Sequence, residues 1–287
     1  MSRTLDASAY HNLLRSFLAE DIGAGDITTE TIVPPTQQAR GELIAKAPLV
    51  LAGIDLFVEI FRLLDSSTAA EIRFHDGDEL FHGQIPVRVT ATARAMLTGE
   101  RVALNLLQRL SGVATLTRQF VRAVAGTGAQ IVDTRKTTPG FRTLEKYAVR
   151  MGGGQNHRMD LGDAVLIKEN HIRLAGGVAQ ALETVQSAKG RARWIEIEVT
   201  NLDELRVALA FKPDIILLDN MDPLLVRQAV DQVRLLDLAQ KIRTEASGGI
   251  TLGNVRGFAE AGVDWISVGA LTHSAPAVDL SFEIEPE

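Results

Sequence analysis

Cysteine is absent from all 287 residues. Disulfide frameworks, thiolate chemistry and cysteine-held metals are therefore excluded. An excess of positive charge is also missing: the formal net charge is −6, which argues against general nucleic-acid binding, since that needs a basic footprint. Long apolar runs are lacking as well. The N-terminal region shows none of signal-peptide length, and no stretch approaches a membrane span. These absences predict a soluble, cytoplasmic protein that engages neither membrane nor nucleic acid. What is present is a hydrophobic content of 46%, enough for one large domain or two.

The first part of the chain mixes helix and strand signals without regular alternation. Leu13, Leu14, Phe17 and Leu18 follow helical spacing after Tyr10, and the segment Glu20 to Thr29 reads as a glycine-bearing loop. Arg40 to Lys46 reads as a strand, Ile54 to Leu64 as a helix, and Asp76-Gly77-Asp78 as a turn. From Val87 to Leu97 apolar and polar residues alternate, as in a half-buried strand. Thr98 is a candidate N-cap for a helix over Gly99–Leu110. Arg101 on that helix reads, from the residues alone, as a surface arginine paired with Glu100 or Glu59. The expected unit is an α+β sandwich domain over residues 1–112, rejoined by the tail 275–287.

Past Ser111-Gly112 the texture changes. Short apolar strands at Gln130–Asp133, Ala164–Ile167, Trp194–Val199, Ile215–Asp219, Arg243–Ser247 and Trp265–Val268 alternate with helical segments, as in repeating βα units. An incomplete α/β barrel over residues 113–274 is predicted, with its chemistry at the C-terminal strand ends. Those ends carry Asp133, Arg135 and Lys136; Lys168; Glu196 and Glu198; Asp219 and Asn220; Glu245 and Ser247-Gly248-Gly249; and Ser267 to Gly269. Every one ends in charge or glycine.

The segment from Asp133 to His171 holds seven fixed cations against five acids, a basic island in an acidic chain and a plausible site for a small polyanion. Ser247-Gly248-Gly249 and Gly269 suit a phosphate held by backbone N–H groups, or are ordinary strand-to-helix turns. Glu198 and Asp219 end neighbouring strands; they could bind Mg2+ or sugar hydroxyls, do acid–base work, or pair with Lys136 and Lys168. Arg135 and Arg158 suit bidentate binding of carboxylate or phosphate, whereas lysines act as point charges. A lone His157 is more often structural. Arg142, Lys146 and Arg150 recur at helical spacing like a solvated face, and Phe141–Gly154 is a candidate lid.

The motifs Asp133-Thr-Arg-Lys-Thr-Thr-Pro-Gly-Phe-Arg142, Gly152-Gly-Gly-Gln-Asn-His-Arg158 and Leu166-Ile-Lys-Glu-Asn-His171 resemble those of the quinolinate phosphoribosyltransferase family. So do Glu20–Thr29, Gly99–Gly112 and Ser267–Thr272, so the resemblance covers nearly the whole chain. It implies an N-terminal open sandwich followed by an incomplete six- to seven-stranded α/β barrel, assembled as a homodimer or a hexamer of dimers. It also implies a Mg2+-dependent transfer of phosphoribosyl from its pyrophosphate to quinolinate, giving nicotinate mononucleotide, CO2 and pyrophosphate. By motif, Arg135, His157 and Arg158 hold the two quinolinate carboxylates, with Lys136 and Lys168 nearby and reaching the pyrophosphate. Arg101 matches an arginine that the partner subunit lends to this pocket. Glu198 and Asp219 match the acids facing the ribose hydroxyls and Mg2+, and Ser247, Gly248, Gly249 and Gly269 match the 5′-phosphate loops. Three alternatives stand beside it: a paralogue of the same fold with another acceptor acid, a Schiff-base aldolase using Lys168, and a silent phosphosugar sensor.

Overall fold

The computed structural model describes residues 6–188, 190–236 and 241–287; residues 1–5 of the predicted first domain and residues 189 and 237–240 of the second lie outside them. The chain divides into two units. One runs up to Leu116 and takes in Arg150–Gly153 and Ala275–Glu287, and the other comprises Thr117–Val149 with Gly154–Ser274.

In the first unit, helices α1 (His11–Ile22) and α2 (Ile27–Ile32) precede strands β1 (Gln38–Ala45) and β2 (Leu49–Val50). Helix α3 (Ile54–Leu64), strands β3 (Ala69–Ile72), β4 (Glu79–Leu80) and β5 (Val87–Thr92), and helix α4 (Ala93–Ala123) follow, the part of α4 from Thr117 onward clustering with the second unit. The segment expected to be a loop from Glu20 to Thr29 is mostly helical. Gly23 and Gly25 turn the chain with positive φ, and Asp26 then caps α2 by accepting the Thr29 N–H at 2.9 Å.

The strand expected to reach Leu97 stops at Thr92, and the helix begins at Ala93 rather than after Thr98. Alternation continues past Thr92, but the residues that carry it are Ala93, Ala95 and Leu97, which are good helix formers. The Asp65 carboxylate fixes the switch point. It accepts the Thr92 N–H at 2.8 Å and both the N–H and hydroxyl of Ser67. Thr98 lies inside the helix, its hydroxyl 3.1 Å from Asp26. Helix α4 also runs through the expected break at Ser111-Gly112. Gly112 is required there by close packing, because a Cβ on it would lie 2.0 Å from the Pro276 carbonyl oxygen.

In the second unit, strands and helices alternate as the sequence predicts: β6 (Gln130–Val132), α5 (Arg142–Met151), β7 (Val165–Ile167), α6 (Glu169–Ala175), α7 (Val178–Val185), β8 (Ile195–Val199), α8 (Leu202–Phe211), β9 (Ile215–Asp219), α9 (Pro223–Leu236), β10 (Arg243–Ser247), α10 (Val255–Glu260), β11 (Trp265–Ser267) and α11 (Ala270–His273). Residues Arg150 to Met151, the end of α5, cluster with the first unit. The six strands form one parallel sheet in the order β6-β11-β10-β9-β8-β7. Each predicted strand agrees with the structure to within one residue at either end. Strands β6 and β7 do not pair with each other among the described residues, and Val132 of β6 bridges Gln155 instead. The barrel is therefore incomplete, with six strands. Its interior packs Val132, Ala164, Trp194, Ile215 and Trp265, and the near-continuous apolar run of β9 suits a strand covered on both faces.

The chain then returns to the first unit as β12 (Leu280–Pro286), completing an antiparallel sheet in the order β12-β1-β5-β3. Phe282 on β12 stacks on Phe61 and meets Phe57 edge-on. Gly41 on β1 leaves room for the Phe282 ring, which an added Cβ would reach at 2.0 Å. No helix among the described residues is long and apolar enough to cross a membrane.

Hydrogen bonds from Ser67 and then Thr92 hold the Asp65 carboxyl down from 3.8 to about 2. A depressed carboxyl stabilises the fold above its unfolded value, and that contribution is lost as pH falls toward the folded one. Stability measured by urea unfolding should therefore fall between about pH 4 and pH 2 in the wild type. In Asp65→Asn that part of the slope should be missing, and an unchanged slope would contradict this role.

Candidate active site

The C-terminal ends of the six parallel strands open onto a cavity of about 560 Å3. Asp133, Thr134, Arg135 and Lys136 line it after β6, and His157 and Arg158 from the loop after α5. Leu166 and Lys168 come from β7, Glu198 from β8, Leu217, Asp219 and Asn220 from β9, Glu245 and Ser247–Gly249 from β10, and Ser267 from β11. The structure thus brings together Arg135, Lys136, His157, Arg158, Lys168, Glu198, Asp219, Ser247, Gly248 and Gly249, all chosen from the sequence. Gly269 is not in the wall. It sits just past β11, where an added Cβ would lie 3.2 Å from the Lys136 side chain. Arg101 belongs to the first unit; its side chain is 61% exposed and lies 3.8 Å from Glu100.

Two loops are pinned from below by α5. Glu145 accepts the N–H and hydroxyl of Thr138 at 3.0 and 2.9 Å, which fixes the turn after Arg135-Lys136. The Lys146 ammonium donates to the Asp133 carboxylate and, at 3.1 Å, to the His157 carbonyl. Asp133 also accepts the His157 N–H at 2.9 Å and the Asn156 side-chain amide. Asp133 and Lys146 are both fully buried. Burial pushes the Asp133 carboxyl up and the Lys146 ammonium down, and each is held back by the other's charge. Two expectations are thereby corrected. Lys146 does not belong to a solvated face, and most of the segment Phe141–Gly154 is the packed helix α5, buried from Leu144 to Val149, rather than a lid.

The cationic wall is built for an anion. Arg158 is 5% exposed and donates one Nη1–H to the Ala164 carbonyl at 2.9 Å. Burial first, and then the charge of Arg135, push its pKa down, so the two guanidinium groups are close enough to repel. The Arg135 Nε is buried with no hydrogen-bond partner. A buried donor without an acceptor is costly, and a carboxylate in the cavity would supply one.

The opposite wall carries carboxylates. Glu198 Oε2 lies 3.5 Å from the Lys168 ammonium. Lys168 is half exposed, unlike a Schiff-base lysine set in an apolar pocket. Asp219 accepts from the side-chain amide of Asn220, whose left-handed φ of 54° turns it back over the strand end. Gly248, at φ 93°, faces Asn220, whose Oδ1 would lie 2.2 Å from any Cβ there. No side chain but hydrogen fits.

Sequence reasoning gave no role to Glu196, Asn220 or Glu245. The signal for Glu196 was its spacing from Glu198, since residues two apart on a strand share a face. Glu196 Oε2 and Glu245 Oε2 lie 3.1 and 3.3 Å from the His157 Nε2, which is shared between them and aligned with neither. The Trp194 indole N–H donates to Glu196 at 3.0 Å. Burial pushes the His157 pKa down, but the close approach of Glu196 and then Glu245 outweighs it and raises the pKa to about 10. Glu196 is itself pushed up, by burial first and then by the Glu245 charge. The ring's Nδ1 accepts the Arg158 N–H at 2.9 Å, so Nδ1 carries no proton. Such a pKa alone would protonate both ring nitrogens, but the backbone N–H directed at Nδ1 opposes a proton there, so the geometry places the ring proton on Nε2.

These three side chains present ligand atoms within 4.8 Å of one another, as a metal site would. A metal-bound histidine normally donates its other ring N–H, however, and His157 accepts there. The cluster therefore suits protons better than a metal ion.

Removing one partner of the Asp133–Lys146 pair strands a buried charge. Lys146→Met should cost about 3 kcal/mol or more, read by urea unfolding. Combining it with Asp133→Asn should recover part of that loss. Additive losses would show that the two residues do not act as a pair.

Two family models match the chain. "Quinolinate phosphoribosyl transferase, N-terminal domain" covers residues 26–111, and the corresponding C-terminal domain covers residues 113–283. Among curated relatives, the probable nicotinate-nucleotide pyrophosphorylase [carboxylating] of Bacillus subtilis is 43% identical over 272 residues, 95% of this chain and 92% of the relative. The nicotinate-nucleotide pyrophosphorylase [carboxylating] of Mycobacterium leprae is 42% identical over 279 residues, 96% and 97% of the two chains. Among solved structures, NadC from Streptococcus pyogenes superposes with a TM-score of 0.94 at 38% identity, over all of both chains. With both domain models matched in order, the chain belongs to the quinolinate phosphoribosyl transferase family.

Proposed function

We infer that this chain transfers the phosphoribosyl group of 5-phosphoribosyl 1-pyrophosphate to quinolinate with decarboxylation. The products are nicotinate mononucleotide, CO2 and pyrophosphate, a step of de novo NAD synthesis. The observation that carries the reading is the unpartnered, buried Arg135 Nε beside Arg158, in a cavity that also presents Glu198 and Asp219. A dicarboxylic acid fits the first pair and a ribose the second. The names of the curated relatives support the same acid and the same loss of CO2.

In this reading Arg135 and Arg158, with Lys168 beside them, hold the acid so that its ring nitrogen faces the anomeric carbon. Most of the gain from such a clamp is entropic. The bond from that carbon to pyrophosphate breaks as the bond to nitrogen forms, and positive charge develops on the ribose. Glu198 and Asp219 stabilise that charge, while Lys136 and Lys168 stabilise the departing anion. Ser247, Gly248 and Gly249, with Gly269 alongside, receive the 5′-phosphate. The quaternary ring nitrogen then draws the electron pair left when the adjacent carboxylate departs as CO2, and that carbon takes up a proton.

Glu198 and Asp219 offer hard oxygen donors at one rim of the cavity, the donor type that Mg2+ prefers. They would hold the ion, which when bound supplies charge neutralisation for the pyrophosphate. Arg101, exposed and only loosely ion-paired with Glu100 at 3.8 Å, is taken in this reading to enter the acid pocket of the partner subunit of a homodimer. A cytoplasmic site of action fits such a small-molecule enzyme.

Product analysis with Mg2+, phosphoribosyl pyrophosphate and either quinolinate or nicotinate tests the reading. Nicotinate mononucleotide and CO2 are expected from quinolinate alone. Product from nicotinate, or none from quinolinate with folded protein, would point to a paralogue with another acid. Chelation of Mg2+ should abolish turnover and its return restore it.

Arg135→Ala should cost about 3 kcal/mol of transition-state stabilisation, roughly a hundredfold in kcat/KM. Near-full activity in that variant would remove the clamp assignment. Mixing Arg101→Ala with Arg135→Ala subunits should restore part of the activity that each lacks alone, because one pocket of a mixed dimer is then intact. No recovery after subunit exchange would remove the shared pocket.

A further inference from the structure

The two buried acids at the base of the cavity have no role in the chemistry above. Glu196 stands on β8 two residues before Glu198, and Glu245 on β10 two residues before Ser247, so each points to the same face as a cavity residue but one step deeper. Strands β8 and β10 flank β9, and their two carboxylates meet at one ring nitrogen of His157. That ring packs edge-on against Trp194 at 5.5 Å and Trp265 at 5.8 Å between centroids. Its backbone is tied to Asp133 and Lys146.

A histidine that donates to a substrate carboxylate needs an N–H facing the substrate. His157 has none: Nε2 is buried against the two acids, and Nδ1 is occupied by the Arg158 N–H. We propose that Glu196 and Glu245 are positioning residues for the acid-binding half of the pocket, gripping His157 as a strut that sets the 157–158 peptide and hence the Arg158 guanidinium. His157 thus works through Arg158 rather than by touching quinolinate. The strut explains why two carboxylates lie buried so near arginines meant for another anion: their partner is the ring. The proposal deepens the quinolinate reading and rests on it.

Steady-state kinetics on the full-length enzyme separate the possibilities. Glu196→Gln and Glu245→Gln keep the side-chain shape but replace one oxygen with an amide that cannot accept from Nε2. Each should raise the KM for quinolinate about tenfold, the scale of losing a supporting hydrogen bond behind a ligand-binding group. The KM for phosphoribosyl pyrophosphate should stay within about twofold, well under the tenfold that 1.4 kcal/mol represents. Equal weakening of both substrates, or of neither, overturns the proposal. A second measurement needs no variant: in wild-type enzyme labelled with 15N-histidine, the His157 Nδ1 should remain unprotonated when quinolinate is added. A proton gained at Nδ1, or Nε2 turned to the acid, overturns it as well. A wild type that does not turn over quinolinate removes the functional reading and this proposal together. Turnover with unaltered variants removes this proposal alone.

Discussion

The buried pair of Asp133 and Lys146 is the interaction on which the site depends. Asp133 closes β6, Lys146 comes from α5, and between them they bind the Asn156 amide and both backbone groups of His157. Three segments of chain, the end of β6, helix α5 and the loop after it, are thereby locked into one arrangement. Burying two charges carries a desolvation cost that their attraction only roughly offsets. The value of the pair is therefore better placed in specificity of geometry than in net stability. It decides where Arg135 and Arg158 stand.

Charge is distributed through the cavity with the same logic. Cations from β6, β7 and the loop after α5 face carboxylates from β8 and β9, and parallel pairing fixes the order in which they meet. Lys168 and Glu198 approach to 3.5 Å, yet the lysine remains half exposed, so the pair is not held so tightly that a ligand could not replace one partner. Deeper in the cavity, Arg158 has one Nη1–H on the Ala164 carbonyl and feels the charge of Arg135, whose Nε is buried without a partner. Electrostatic complementarity is thus left unfinished in one place, and the missing piece is an acid.

The βα repeat was legible because parallel strands covered on both faces read as apolar runs bounded by charge and glycine. The site residues at the strand ends were legible for the same reason, since side chains such as Lys168 and Asp219 could not be explained by packing. Helix α4 was misread at both ends. Alanine suits strand and helix alike, and Gly112 looks like a break until the Pro276 carbonyl is seen against it. Lys146 was misread because charges at helical spacing resemble a solvated face, and nothing local says that Asp133 waits on the other side.

The sequence by itself determined the class of fold, the positions of the six barrel strands and most of the cavity wall, because each follows from periodicity or from residues next to one another in the chain. Only the tertiary structure decided how those residues are held. The Lys146–Asp133 contact, the seat that Glu196 and Glu245 make for His157, and the Asn220 side chain against Gly248 join residues 13 to 88 positions apart. Such contacts form between strand ends and helix faces that meet only when the barrel winds, and no local pattern specifies which buried donor will find which acceptor.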